Sequence, residues 1–181
     1  KNKKIQLLTV SYLISRKNIP AILEALTIVK KQSSDFVLHI VGDGPQYEKL
    51  KKLSKNLGLH THIIFHGFVD NNKIAPLYGA ANVFVTMSQH ESWGQMYLEA
   101  MSSQLPIISY PNSGAESILK KEYSFMTRTS EELAEKILLF IKNPQKSNMM
   151  GSEARKIARA RYDWDIAIIP QYESLYKSIL E

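Results

Sequence analysis

The chain of 181 residues has no cysteine, which excludes disulfides and thiolate-bound metal. It has no apolar run near the roughly 20 residues a membrane-spanning helix requires, and no signal peptide is visible at its start. Internal repeats, low-complexity blocks and long linkers are also missing. His60, His62 and His66 cluster without a convincing ligand spacing, so no metal is expected. There is no helix-turn-helix, zinc or stacking-aromatic pattern to support nucleic-acid binding. These absences leave one compact domain or two small ones, with a cytoplasmic location as the default expectation. The sequence begins at Lys1 rather than Met, as a piece excised from a longer protein would.

Charge is unevenly spread. Residues 1–60 hold 11 Lys and Arg against 4 Asp and Glu, a net +7, whereas the remainder holds 12 against 13. Lys49, Lys51, Lys52 and Lys55 fall on one amphipathic helix, whose plain reading is a solvated face. The sharper reading is attraction to anionic lipid head groups or phosphorylated substrates, and so a place at the inner face of a membrane.

Strand-like and helix-like runs alternate along most of the chain. Residues 5–10, 36–41, 63–66, 83–86, 107–110 and 123–126 read as short buried strands. Helical spacing covers 19–31, 46–57, 73–80, 94–103 and 115–120. The pattern predicts an α/β fold, a doubly wound parallel sheet with right-handed crossovers and helices on both faces. Three further helices, 131–142, 145–160 and 165–180, form a helical C-terminal extension, punctuated by Pro144 and the Tyr162-Asp163 region. Asp163 is expected to cap the last helix, with Trp164 packed as a hydrophobic anchor. Ligands of such sheets sit beyond the C-terminal strand ends.

The run from Gln89 to Met101 falls at such an end. It follows the apolar strand 83–86 and becomes a helix near Gly94, since Met96, Tyr97, Ala100 and Met101 recur at helical spacing. A glycine at this junction lets backbone approach a ligand, and the free amides and dipole of a helix start suit a phosphate. Glu91 precedes this amide cradle and Glu99 follows it, eight positions later. A carboxylate beside an anion site repels the anion, so neutral hydroxyls are its better partners. Amides for phosphate and acids for hydroxyls together fit a sugar diphosphate. Gly42-Asp43-Gly44-Pro45 lacks the third glycine of a dinucleotide fingerprint, Tyr47 standing in that place, and follows the second strand rather than the first. A nicotinamide site is therefore rejected, and the turn is expected to line the nucleotide pocket.

The segment from Glu91 to Glu99 resembles the Glu-x7-Glu signature of retaining glycosyltransferases of family 4, which have the GT-B fold. The resemblance continues through Leu105-Pro106-Ile107-Ile108 and Asn112-Ser113-Gly114-Ala115-Glu116 downstream. Upstream it includes Arg16-Lys17, Ile40-Val41-Gly42-Asp43-Gly44-Pro45 and Phe65-His66-Gly67-Phe68-Val69, in the family's order and spacing. It implies that residues 1–181 form the C-terminal, donor-binding half of such an enzyme, Rossmann-like in fold, without the N-terminal half that holds most of the acceptor site. By the same resemblance, Glu91 would hold hydroxyls of the transferred sugar beside the anomeric centre. Glu99 would hold the ribose hydroxyls, and Gly94, Gln95 and Met96 would meet the diphosphate through their amides. Lys17, with Arg16, would stabilise the departing diphosphate, and the backbone of Val69 would contact the base. Trp93 sits at a usual aromatic position, where core packing and ligand contact are both open. The family's glycine–arginine pair reads Ser11-Tyr12 here, so its diphosphate clamp is weakened or rebuilt.

The implied reaction transfers a hexose-type sugar from a nucleoside diphosphate, most often that of uridine, to a glycan or lipid-linked acceptor, as in polysaccharide biosynthesis. It needs no cofactor and no divalent metal, and the isolated piece would turn over little or nothing. Two alternatives from other classes are a non-catalytic nucleotide-sugar binding module and a nucleotide-sugar epimerase of the same overall fold.

Overall fold

The computed structural model describes residues 4–180. Six strands form one parallel sheet: β1 (Ile5–Val10), β2 (Phe36–Val41), β3 (Ile63–Gly67), β4 (Val83–Thr86), β5 (Ile107–Ser109) and β6 (Ser124–Met126). Their order is β3-β2-β1-β4-β5-β6, with Leu7 opposite Leu38 on one side and Val83 on the other. The strands read as continuous apolar runs because both faces are covered. Leu7, Ile40, Val85 and Ile108 point to one face, where they join Ile22 and Leu26 of α1 (Ile19–Lys30), Leu50 of α2 (Tyr47–Asn56) and Ile137 of α6 (Ser130–Lys142). Leu8, Val41, Phe84 and Ile107 point to the other, among Tyr78 of α3 (Asn71–Ala80), Tyr97 of α4 (Gln95–Ser102), Ile118 of α5 (Ser113–Ile118) and Ala154 of α7 (Pro144–Tyr162). Successive residues of one strand thus serve two separate cores, as a period of two requires.

Every expected strand and helix is present, and the differences lie at caps. Helix α3 starts at Asn71 rather than Lys73, because the Asp70 carboxylate accepts from the Asn72 amide at 2.9 Å. It also carries Pro76 in its interior, at the loss of one intrahelical bond. Helix α5 likewise starts before the expected Ala115, since the Asn112 side chain accepts from the Ala115 amide, and it ends at Ile118. Pro144 opens α7 at its first turn, where a missing N–H costs nothing.

At the C-terminus Asp163 caps as expected, accepting from the Asp165 and Ile166 amides at 3.1 Å. Trp164, in the single π-turn Trp164–Ile168, is not a packed anchor but 68% exposed. Helix α8 (Ile169–Leu180) buries none of its residues, and Ile169, Tyr172, Tyr176 and Ile179 form an exposed apolar stripe. Helical spacing alone says that such a face is amphipathic, and tertiary packing decides what covers it. Of the basic first third, Lys1 and Lys3 lie outside the described residues. Lys49, Lys52 and Lys55 of α2 are exposed and Lys51 is half-buried, in keeping with a solvated face.

Candidate functional site

The strand order reverses between β1 and β4, and the loops leaving these two strands meet there. From β1 the chain runs through a 3-10 turn, Ser15–Lys17, to Asn18, whose left-handed φ of 49° turns it into α1. From β4 it runs through Gln89 and Glu91 to Gly94. The Gln89 amide donates to the Arg16 carbonyl at 2.9 Å, so the loops touch through backbone. Lys17 Nζ and Glu91 Oε1 form an ion pair across the same seam, with only 12% and 13% of their side chains exposed. Each charge in a half-dry setting depends on the other, and removing one partner leaves the second poorly solvated.

The Glu91 loop is held from below. The Gly114 amide donates to the Glu91 carbonyl at 2.7 Å, and a Cβ at Gly114 would lie 2.9 Å from that oxygen. Asn112, buried, donates through Nδ2 to the Ser88 carbonyl at 2.8 Å and to the Tyr97 hydroxyl at 3.2 Å while its oxygen caps α5. The Tyr97 hydroxyl lies 2.9 Å from Ser109 Oγ, which donates onward to the Tyr110 carbonyl. Burial raises the Tyr97 pKa, with Ser109 and Asn112 acting the other way.

Gly94 has φ 73°, and a side chain there would sit 2.5 Å from the Tyr97 ring. Only glycine fits both the angle and the space. The Tyr97 amide turns back to the Gly94 carbonyl at 2.8 Å. The amides of Gln95 and Met96 open α4 and have no partner within it. Gln95 is exposed and Met96 half-buried. Glu99, one face further along α4, accepts from the Tyr78 hydroxyl at 2.7 Å through Oε2.

Across the seam lies a pocket of about 500 Å³ beyond β1, β2 and β3. Val10, Ser11, Tyr12, Gly42, Phe68, Val69 and Ile74 line it. Val69, half-buried, forms part of its wall, and the aromatic rings of Tyr12 and Phe68 stand 63% and 78% exposed at its rim. Gly42 and Gly44 serve the loops rather than a phosphate. A Cβ on Gly42 would fall 1.9 Å from the Ser11 carbonyl oxygen and one on Gly44 2.8 Å from the Leu13 backbone. Their absence of side chains lets the β2 loop dock on the β1 loop, tied by Leu13 N–H to the Asp43 carbonyl at 2.8 Å. Among the described residues the buried Ser11 hydroxyl has no hydrogen-bond partner. A smaller hollow of about 250 Å³ lies against Arg16, Gln89, His90, Glu91 and Ser92, which brings the exposed Arg16 beside Glu91. A further cavity, about 450 Å³ between Lys4, Asp35, Asn82 and Lys142, opens at the opposite end of the sheet, where the strands begin.

Lys17, Arg16 and Glu91 are therefore brought together, with Asn112 and Gly114 beneath them. Glu99 is held from α3, and Val69 forms the wall of the neighbouring pocket. Trp93 is 56% exposed and meets Tyr162 edge-on at 6.3 Å, so it is not core. Among the described residues no group of three or more His, Asp or Glu side chains could hold a metal ion. His66 instead pairs with His39, Nε2 to Nδ1 at 2.9 Å, and His39 Nε2 meets Gln6 Oε1 at 2.9 Å. Burial lowers both imidazole pKa values, and for His39 the neighbouring His66 adds to it. Sequence reasoning gave no role to Tyr78, Tyr97 or Asn112. Asn112 could have been found as a helix-cap residue before a glycine. The contacts of Tyr78 and Tyr97 with side chains on other elements leave no local signature.

The family model for glycosyl transferases group 1 matches residues 1–157, and the chain belongs to that family. It is 32% identical over 133 residues to the alpha-monoglucosyldiacylglycerol synthase of Streptococcus pneumoniae, covering 73% of this chain and 30% of that protein. It is 27% identical over 149 residues to the N-acetyl-alpha-D-glucosaminyl L-malate synthase of Bacillus anthracis, covering 81% of this chain and 38% of the other. Among solved structures, Anabaena Alr3699/HepE in complex with UDP superposes with a TM-score of 0.84 at 22% identity, over 98% of this chain and 49% of its own. The pneumococcal O-GlcNAc transferase GtfA in complex with UDP and GlcNAc gives 0.83 at 18% identity, over 99% and 36%. The chain thus spans less than half the length of these relatives. The Rossmann-like, doubly wound fold expected from the pattern is borne out, and of the expected family the glycosyl transferases group 1 assignment is shown.

Proposed function

We propose that this domain binds the donor of a retaining, family 4 glycosyltransferase of GT-B fold, a nucleoside-diphosphate sugar with uridine as the base. The observation that carries the reading is the Lys17–Glu91 pair across the switch point, beside the open amides at the start of α4. Lys17, Arg16 and the amides of Gly94, Gln95 and Met96 take the diphosphate. Glu99 takes the ribose, and the pocket walled by Val69 takes the base. Glu91 holds hydroxyls of the transferred sugar. As the anomeric carbon–oxygen bond breaks, negative charge grows on the diphosphate, and fixed positive groups stabilise it more than they stabilise the ground state. The acceptor hydroxyl oxygen then bonds to the anomeric carbon on the face that the diphosphate leaves, keeping the configuration, and its proton passes to the departing diphosphate oxygen.

Lys17 and the helix amides carry this role without a divalent metal. The acceptor, a glycan or lipid-linked hydroxyl, belongs to a second, N-terminal α/β domain, so the isolated domain binds donor and turns over little. The relatives include an alpha-monoglucosyldiacylglycerol synthase and a GDP-mannose-dependent alpha-(1-6)-phosphatidylinositol monomannoside mannosyltransferase, both named for lipids. That supports an amphiphilic acceptor and a peripheral position on an anionic membrane, served by the basic α2 face. No helix of the described residues is long and apolar enough to cross a membrane.

Calorimetry with UDP, GDP, ADP and simple sugars tests the core of the reading. Nucleoside diphosphates should carry most of the affinity. Tight sugar binding with equal or absent diphosphate binding would overturn it.

A further inference from the structure

We infer that Tyr78 is a positioning residue for ribose recognition, acting through Glu99. The inference rests on the donor reading above and deepens it. Tyr78 is 2% exposed, and its ring stacks on Phe84 of β4 with centroids 5.9 Å apart and planes 17° from parallel. The ring is therefore fixed by the central sheet, and its hydroxyl donates to Glu99 Oε2 at 2.7 Å. Burial, and then the bond to Glu99, push the phenol pKa well above its ordinary range, so the hydroxyl stays a donor. A glutamate on a helix surface has three rotatable side-chain bonds to freeze before it can hold a diol. Here one carboxylate oxygen is anchored in advance and the other remains free to accept from ligand hydroxyls, so less rotamer entropy is lost on binding.

The same helix links this anchor to the base pocket. Ile74, four residues before Tyr78 on α3, lines that pocket, and Val69 and Asp70 lead into the helix. Tyr78 thereby fixes the ribose-binding carboxylate relative to the wall that meets the base. Without the phenol, Glu99 would keep its charge and its place on α4 but sample other rotamers.

The test is calorimetry on the wild type, Tyr78→Phe, Glu99→Ala and the double variant. The probes are whichever of UDP, GDP and ADP binds best and its 2′,3′-dideoxy form. Tyr78→Phe is expected to weaken the ribose-containing ligand about threefold to tenfold and leave the dideoxy form unchanged. The double variant should bind no more weakly than Glu99→Ala. Ile22→Val, in the core on the other face of the sheet, serves as the packing control and should lower the melting temperature while keeping the ratio of the two affinities. If Tyr78→Phe does not fold, 3-fluorotyrosine at position 78 takes its place. This stronger donor of similar shape should tighten the ribose-containing ligand alone, and unchanged binding of both ligands overturns the inference. A ribose preference that vanishes in Glu99→Ala but persists in Tyr78→Phe overturns the inference and spares the donor reading. A wild type that binds no nucleoside diphosphate overturns both.

Discussion

Glu91 and Glu99 stand eight residues apart and are held by different means. Glu91 lies in a loop, and everything that fixes it comes from elsewhere in the chain. Lys17 reaches it from the β1 loop, and Gly114 meets its carbonyl from the first turn of α5. The buried Asn112 and Tyr97 brace the backbone around it. Glu99 is placed by the periodicity of α4, and a single hydroxyl from α3 sets its side chain. A loop carboxylate supported by two distant segments responds to changes in either of them, whereas a helical one tolerates most changes off its own face. The comparison matters for function because the two carboxylates are assigned different moments of the reaction. In the proposed function Glu91 meets the reacting sugar, and Glu99 meets a part of the donor that does not change.

The largest expected effect breaks the support of Glu91. Lys17→Ala removes the cation assigned to the departing diphosphate and strands a carboxylate that is largely shielded from water. In a transfer assay with the full-length protein, kcat should fall by about a hundredfold to a thousandfold, the range seen when one preorganised charge-stabilising group is lost. A silent Lys17→Ala would remove the cation from the mechanism.

Next in size is the direct contrast between the two acids. Glu91→Ala should mainly lower kcat, because its contact tightens as the sugar reacts. Glu99→Ala should mainly raise the donor KM, because ribose is held equally in the ground and transition states. Losing one or two charge-assisted hydrogen bonds corresponds to roughly 1.5–3 kcal/mol, or about tenfold to a few hundredfold. Steady-state kinetics against donor concentration separate the two patterns, and wild-type behaviour in both variants would refute the assignment of the site.

A smaller effect is expected one layer below. Asn112→Ala removes the cap of α5 and leaves the Ser88 carbonyl and the Tyr97 hydroxyl without their buried donor. Thermal or urea unfolding should show a loss of about 1–3 kcal/mol. Activity should fall through kcat more than through KM, because the disturbed segment carries Glu91 rather than Glu99. Equal changes in both constants would mean that the two carboxylates share one support.

The same contrast explains what the sequence disclosed. Both glutamates were legible, together with the glycine between them, because a buried strand, a glycine and a helical repeat follow one another within a short stretch. The six strands were legible because double burial makes Val83-Phe84-Val85 or Leu38-His39-Ile40-Val41 stand out from their flanks. The starts of α3 and α5 were missed by two residues because Asp70 and Asn112 recruit residues that carry no apolar signal. Trp164 was read as an anchor because large aromatics are usually buried, yet its burial depends on a partner surface that no local pattern encodes. The hydrogen bond from Tyr78 to Glu99 spans 21 residues and two helices, and the approach of Lys17 to Glu91 spans 74. Only the folded topology brings such pairs together.

The smallest expected effect is that of a chelator, and it sharpens the comparison by asking what neutralises the diphosphate between the two carboxylates. The proposed mechanism assigns that task to Lys17, to Arg16 beside the Glu91 loop, and to the unpaired amides of Gly94 to Met96. Among the described residues Glu91 already has a cationic partner and Glu99 a phenolic one, so neither is an unengaged carboxylate of the kind a hard divalent ion prefers. Tyr12 is the position that puts this account at risk. It stands where the family resemblance implies an arginine, at the rim of the pocket beyond β1, β2 and β3 and 63% exposed, with a ring and a hydroxyl but no charge. EDTA is therefore expected to leave the transfer rate of the full-length protein nearly unchanged. Tyr12→Arg should at most tighten the nucleoside diphosphate by a few-fold, the scale of one added charge-assisted contact at an exposed site. If EDTA abolishes transfer and magnesium or manganese restores it, a metal ion occupies the place assigned to Lys17 and the helix amides. If Tyr12→Arg then also makes the activity resistant to EDTA, that ion stands in for the missing guanidinium.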